Sequence, residues 1–347
     1  MCPIINELRK NKSIDLRVLS TGQHRDMLDS VLDFENIRID YDFSLMKIGQ
    51  TLTYLTVEIL NRTEKMLEEL LPDFVLVHGD TVTAFAGALA AFYKKIPVCH
   101  IEAGLRTYDK NNPYPEEFNR SAIARIASYH FAPTATNKEN LIREGVDKSK
   151  IFVTGNTVID ALKKNLTEDY AHADLPNDDF IILTAHRREN IGNGMKQIFL
   201  AVGAVASLMK IKVIYPVHKN EKILPIAMNL FGNNDYVKMI APLGVFDFHN
   251  FLARCKIVVT DSGGIQEEAS YLGKPIIVTR KTTERKELFA KDTIKLVGND
   301  SEAIFDEVKK LITDERYYAL SSVKSDCFGD GYSAVKIAKI ISQLPVS

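Results

Sequence analysis

Cysteine is scarce in this chain of 347 residues. Cys2, Cys99, Cys255 and Cys327 stand far apart, without the short paired spacings of a zinc site or a disulfide framework. Four isolated thiols suit a reducing cytoplasm. An excess of either charge is also lacking: 44 Lys and Arg face 45 Asp and Glu, a net charge of −1. No global field therefore draws the chain to nucleic acid or to an anionic membrane. Apolar runs of about 18 or more residues and a signal-peptide pattern are absent too, so membrane spanning and secretion lack support. What is present in quantity is apolar side chain, 46% of the residues. At about 100 to 200 residues per domain, the length and this content are those of two globular domains with two cores.

Short β-branched or apolar runs alternate with amphipathic stretches all along the chain. In the first half they fall at 16–20, 74–78, 96–101, 130–132 and 151–153, and in the second at 180–184, 212–215, 237–240, 257–260 and 275–278. Strand alternating with helix predicts parallel sheets. Two such series predict an α/β protein of two Rossmann-like, doubly wound domains facing a central cleft. The polar, proline-containing segment 165–179 breaks the periodicity and marks the expected boundary: residues 1–168, then 169–325, then a C-terminal piece 326–347. No internal repeat or low-complexity tract is evident. Ligands of open α/β sheets bind beyond the carboxyl ends of the strands, so polar residues there deserve weight.

The most informative of those ends is T-D-S-G-G-I-Q-E-E-A at 260–269, where an apolar strand meets a helix through a glycine turn. Backbone N–H groups at a helix start are unpaired and sit at the positive end of its dipole, which suits a diphosphate against Ser262, Gly263 and Gly264. Glu268, a turn inside, is placed to accept from a ribose diol. The same pattern also joins purely structural βα units. At 78–81, H-G-D-T puts Asp80 either in a site or at a helix N-cap, worth about 1 kcal/mol. In H-I-E-A-G-L-R-T, 100–107, Glu102 follows an apolar strand and is either functional or neutralised by Arg106. Y-P-E-E-F-N-R, 114–120, opens a helix with Glu116 and Glu117, of which helix-start chemistry explains one. A-H-R-R-E-N, 185–190, gathers His186, Arg187 and Arg188, either for proton transfer and diphosphate binding or as a solvated loop cluster. His218 in Y-P-V-H ends another strand, and Glu284 with Arg285 is either a sugar or phosphate contact or a surface pair of little worth.

Taken together with G-N-T-V-I-D-A-L at 155–162 and G-D-G-Y at 329–332, these motifs resemble the non-hydrolysing UDP-N-acetylglucosamine 2-epimerases. The resemblance runs from Met1 to about Lys336. It implies a GT-B type fold whose C-terminal helix packs back on the first domain, and a homodimer. It also implies interconversion of UDP-N-acetylglucosamine and UDP-N-acetylmannosamine by elimination of UDP to 2-acetamidoglucal, followed by re-addition with a proton on the opposite face. Under this resemblance the acid-base set falls on Asp80, Glu102, Glu116 and His186. The UDP contacts fall on Ser262, Gly263, Gly264 and Glu268, with Arg187 and His218 beside them, and Phe248 falls either near the uracil or, as an aromatic in an apolar helix, in the core. No metal or redox cofactor is implied.

The front of the chain departs from the family pattern. The strand and G-T-R-P-E-A-I-K loop of relatives have no counterpart, and Met1 matches an internal methionine of the helix that follows. The expectation is that Met1 is internal to a longer chain, and that a chain beginning there has diminished or absent activity and unpaired strand edges in its first sheet. A second nucleotide-sugar site of bacterial relatives is partly matched by Gln23, His24 and Arg187 or Arg188. Asp26 and Gly49 replace expected polar and cationic partners, so allosteric activation is expected to be weak or absent. A hydrolysing epimerase, and a silent nucleotide-sugar binding subunit, stay open as alternatives.

Overall fold

The computed structural model describes residues 1–22, 25–45, 49–187, 190–217, 221–291 and 293–346. It divides into two compact units: Met1–Ala161 with Phe328–Ser347, and Leu162–Cys327. The first passage between them lies inside a helix rather than in the polar segment 165–179. That helix buries Ile159 and Leu162 on either side of the division, so apolar burial keeps it continuous where the sequence periodicity alone suggested a later break.

Unit 1 begins with α1 (Cys2–Leu8), β1 (Leu19–Ser20), α2 (Arg25–Phe34), β2 (Tyr41–Asp42), α3 (Leu52–Leu70) and β3 (Val75–His78). It continues through α4 (Val82–Tyr93), β4 (Val98–Ile101), α5 (Glu116–Ile126), β5 (Tyr129–Ala132), α6 (Ala135–Arg143), β6 (Ile151–Val153) and the start of α7 (Thr157–Asn165), which passes into unit 2 at Leu162. All its pairings are parallel. A four-stranded sheet runs β3-β4-β5-β6, with β3 at its edge, and β1 pairs with β2 in a separate ladder of two residues each. The expected strand 16–20 is thus shorter. Strand β2 escaped notice because two residues carry no alternation to read.

Helix starts follow local chemistry. The hydroxyls of Thr51, Thr81 and Thr134 accept from the N–H three residues on, and Thr134 with Asn137 forms a reciprocal capping box. The alanines of α4 let it lie close against α3 and the sheet. One core cluster of unit 1 joins Ile4 and Leu8 of α1 to the β4 and β5 residues Ile101 and Phe131 and to Ala334, Ile337 and Ile341 near the chain's end.

Unit 2 holds β7 (Phe180–Thr184), α8 (Asn193–Met209), β8 (Lys212–Pro216), α9 (Leu224–Phe231), β9 (Val237–Ile240) and α10 (Val245–Arg254). After these come β10 (Ile257–Thr260), α11 (Gly263–Leu272), β11 (Ile276–Val278), β12 (Ile294–Leu296), α12 (Ser301–Thr313) and α13 (Glu315–Ser321). The last helix, α14 (Ser333–Ile341), belongs to unit 1. The sheet of unit 2 is parallel in the order β12-β11-β10-β7-β8-β9, so the chain reverses its direction of winding between β7 and β10. Every residue of β7 and β10 is buried, which explains their unbroken apolar runs: helices cover both faces of a parallel sheet. Among the described residues no helix is long and apolar enough to cross a membrane.

Candidate functional site

In unit 1 the polar residues cluster just beyond the carboxyl ends of β3 and β4. These strands pair in parallel with His78 opposite Ile101, so the turns carrying Asp80 and Glu102 leave the sheet side by side. Gly79 has φ +67°, and a Cβ there would lie 3.1 Å from Glu102 Oε2. Glu102 itself has φ +62°, a left-handed backbone that an ordinary side chain adopts only when its surroundings impose it. Asn156 Nδ2 donates to Glu102 Oε1 at 3.0 Å, while His78 Nε2 lies 3.9 Å from Oε2. Burial keeps the His78 imidazole well below its ordinary pKa and thus neutral, so that contact is no ion pair.

Arg106 does not neutralise Glu102. It is buried against Glu144, with Nε–Oε1 and Nη2–Oε2 both at 2.8 Å, which removes Arg106 as the partner of the Glu102 carboxylate. Asp80 is not the helix cap either, because Thr81 fills that position. The Asp80 carboxylate instead meets Arg120 Nη2 at 2.6 Å, and its carbonyl accepts from Asn119 Nδ2 at 2.8 Å. Asn119 and Arg120 lie in the first turns of α5, so the helix that begins at Glu116 is tied directly to the Asp80 turn. Of the two glutamates opening α5, Glu117 is the structural one: it is buried and accepts from the N–H groups of Thr107 and Tyr108. Glu116 has a buried Oε2 without a hydrogen-bond partner among the described residues.

Beneath this cluster lie two buried imidazoles, His100 on β4 and His130 on β5, paired across the ladder. His100 Nε2–H donates to the Gly79 carbonyl at 2.8 Å and so pins the turn that carries Asp80. Burial, the main cause, lowers His100 to about 3 and His130 to about 4. Both are neutral in the folded protein, whereas the unfolded chain takes up protons below its ordinary value of about 6.5. Their contribution to stability is therefore intact above that pH and is lost as pH falls toward 4 and then 3. Urea titrations at pH 7 and pH 5 are expected to differ by on the order of 2 kcal/mol per imidazole. The His100→Gln protein, which retains a donor for Gly79, should show a shallower dependence. Equal midpoints at the two pH values would contradict this account.

In unit 2 the chemistry gathers at the carboxyl ends of β7 and β10. Ser262 is the N-cap of α11, yet its hydroxyl makes no capping bond, and Gly263 and Gly264 open the helix. Beneath them sits a buried charge network. Arg285 pairs with Glu267 at 2.9 Å and with Glu284, and Glu284 pairs with Arg280 at 3.1 Å. Glu284 and Arg285 are thus interior, not the weak surface pair that their sequence neighbourhood allowed. Glu268 is buried and lies 3.2 Å from His249 Nε2, whose Nδ1 accepts from Asn165 at 3.1 Å, so the carboxylate is held from behind. Phe248 is half-buried on α10. His186 and Arg187 follow β7, and the guanidinium of Arg187 donates through Nε to the Asp261 carbonyl at 2.9 Å. Gln23, His24, Arg188 and His218 lie outside the described residues.

Arg120, Asn156, His249 and Asp261 were not singled out from the sequence. Each contacts a candidate residue from a position distant in the chain, and no spacing rule reports that. Only the position of Asn156 and Asp261 at strand ends offered a hint.

Two parallel-sheet units, one ending in a carboxylate cluster and the other in a glycine corner at a helix start, define a nucleotide-binding α/β enzyme. Comparison with known proteins makes the class specific. The family profile described as UDP-N-acetylglucosamine 2-epimerase matches residues 6–342, and the chain belongs to that family. It is 47% identical over 343 residues to the UDP-N-acetylglucosamine 2-epimerase of Bacillus subtilis, covering 98% of this chain and 90% of that one. Among solved structures, the Neisseria meningitidis UDP-GlcNAc 2-epimerase bound to UDP-GlcNAc superposes with a TM-score of 0.96 at 41% identity, over 99% of this chain and 96% of that one. The Methanocaldococcus jannaschii enzyme in complex with UDP-GlcNAc and UDP gives 0.87 at 34% identity, over 98% and 95%.

Proposed function

We propose that the chain interconverts UDP-N-acetylglucosamine and UDP-N-acetylmannosamine by the non-hydrolysing route, in the cytoplasm. The observation that carries this reading is Glu102, a carboxylate held in left-handed backbone on the turn that leaves the sheet next to the one carrying Asp80. The hydrogen on carbon 2 of the sugar is too weakly acidic for simple removal. Elimination avoids that obstacle: the bond from carbon 1 to the diphosphate oxygen breaks, a carboxylate takes the carbon-2 proton, and 2-acetamidoglucal and UDP result. Re-addition of UDP, with a proton delivered to the other face of carbon 2, gives the epimer. Asp80, Glu102, Glu116 and His186 form the acid-base set under this reading. Donors at the start of α11 stabilise the charge that develops on the departing diphosphate, and Glu268 takes the ribose hydroxyls.

Product analysis tests the route. Incubation with UDP-N-acetylglucosamine is expected to give a mixture of the two nucleotide sugars with no accumulating free sugar. Steady release of UDP with free N-acetylmannosamine would instead support hydrolysis.

The diphosphate corner makes its own prediction. A Cβ on Gly263 would lie 2.5 Å from Arg285 Nη1 and 2.7 Å from its Cζ, and Arg285 is tethered to Glu267 and Glu284. Gly263→Ala must displace either the helix start or the ion pair. Calorimetry is expected to show UDP binding weakened by roughly tenfold or more, about 1.4 kcal/mol. Unchanged affinity would place the diphosphate elsewhere.

A further inference from the structure

We propose that Asp261 is a positioning residue that fixes the tautomer and direction of the His186 imidazole, an inference that rests on His186 belonging to the acid-base set. Asp261 follows β10 and is 0% exposed. A carboxylate so placed is tolerated only when its oxygens are fully engaged. It is engaged almost entirely by the segment after β7. His186 donates its backbone N–H at 3.0 and 3.2 Å, Arg187 donates its own at 2.9 Å, and Asn190 donates from Nδ2 at 3.1 Å. The same segment is tied from two other sides. Asn190 Nδ2 also donates to the Thr279 carbonyl at 3.2 Å, and the Tyr215 hydroxyl donates to the Ala185 carbonyl at 3.3 Å. Burial first, and then the Asp261 charge, push the Tyr215 hydroxyl above its ordinary pKa, so it remains a protonated donor.

With the main chain clamped in this way, His186 Nδ1 lies 3.6 Å from Asp261 Oδ1, while the side chain as a whole is 40% exposed. A carboxylate at that distance favours the imidazole form with the proton on Nδ1 and leaves Nε2 as the nitrogen that exchanges a proton with a ligand. The pair is longer than a hydrogen bond, as catalytic contacts often are before substrate binds. Tethering of the loop alone would leave the tautomer undetermined, which separates a positioning role from a merely structural one.

The test is long-range nitrogen-15 NMR of the histidines in the full chain without substrate, with His186→Gln used to assign the resonance. At pH 8 the His186 signal is expected to be that of the Nδ1–H form. In Asp261→Asn at least half of the population should shift to Nε2–H, and kcat should fall by about 10- to 100-fold with KM changed less than about threefold. An Nε2–H form in the unaltered protein, or an unchanged tautomer ratio in a folded Asp261→Asn, would overturn the proposal. Should that variant not fold, the tautomer of the unaltered protein decides alone. Because the tautomer is read without turnover, an inactive protein with the Nδ1–H form would sink the epimerase reading and leave the pair standing. An active protein with the Nε2–H form would do the reverse.

Discussion

Glu102→Gln is expected to lower epimerisation by about a thousandfold, the scale of a lost acid-base group, while leaving the fold intact. Glutamine keeps the shape of the side chain and an oxygen for Asn156 Nδ2, which lies 3.0 Å from Oε1. It cannot take up or release a proton. The left-handed backbone at residue 102 is maintained by its surroundings, among them the pairing of β3 with β4, and does not depend on the carboxylate charge. The UDP contacts proposed at Ser262, Gly263 and Glu268 belong to the other unit, so the affinity for UDP should stay within about threefold. Steady-state kinetics together with UDP calorimetry read both quantities. Turnover within tenfold of the unaltered protein would remove Glu102 from the chemistry.

Gly104→Ala should be the most damaging single methyl group in unit 1. Its backbone has φ +90°, and a Cβ would lie 2.3 Å from the Asn137 carbonyl oxygen and 2.8 Å from its carbon. The obstacle is main chain. Asn137 is fixed in the capping box that starts α6, and Asn140 Nδ2 donates to the Gly104 carbonyl at 3.0 Å. Neither side has room to yield, so a loss of about 3 kcal/mol or more is expected, combining a special backbone conformation with a clash. For a unit of this size that corresponds to a fall in Tm of roughly 6 to 12 °C. Glu102 stands two residues upstream, so activity should fall even below the new transition. A Tm within about 1 °C of the unaltered protein would contradict this packing.

Much of this architecture was legible in the sequence because a buried parallel strand is a short, nearly continuous apolar run. The strands at 151–153, 180–184, 237–240 and 257–260 coincide with β6, β7, β9 and β10. Strand β2 was missed because two residues give no pattern to count, β12 because Lys295 interrupts its short apolar run, and Leu16, Arg17 and Val18 read as strand although β1 begins only at Leu19. The passage between the units was placed too late in the chain, because polar composition marks a loop but says nothing of a helix that crosses from one core to another.

The candidate site was legible as residue types at strand ends and not as partners. Beside their functional readings, Asp80 had a possible place as a helix cap and Glu102 a possible partner in Arg106, but Thr81 holds the cap and Arg106 belongs to Glu144. Sequence proximity supplied the wrong partner for both alternatives, since Arg120 and Asn156, the residues that contact these side chains, are 40 and 54 residues away. The same holds for Glu284 and Arg285, which burial turns from a weak surface pair into a network beneath the glycine corner at the start of α11.

The central claim is that carbon 2 loses its proton to the protein and regains one from it while UDP is held. Proton NMR of the full chain with UDP-N-acetylglucosamine in deuterated water tests this most directly. The account predicts UDP-N-acetylmannosamine carrying deuterium at carbon 2. Epimer retaining the original hydrogen there, or free N-acetylmannosamine in place of the nucleotide sugar, would contradict it.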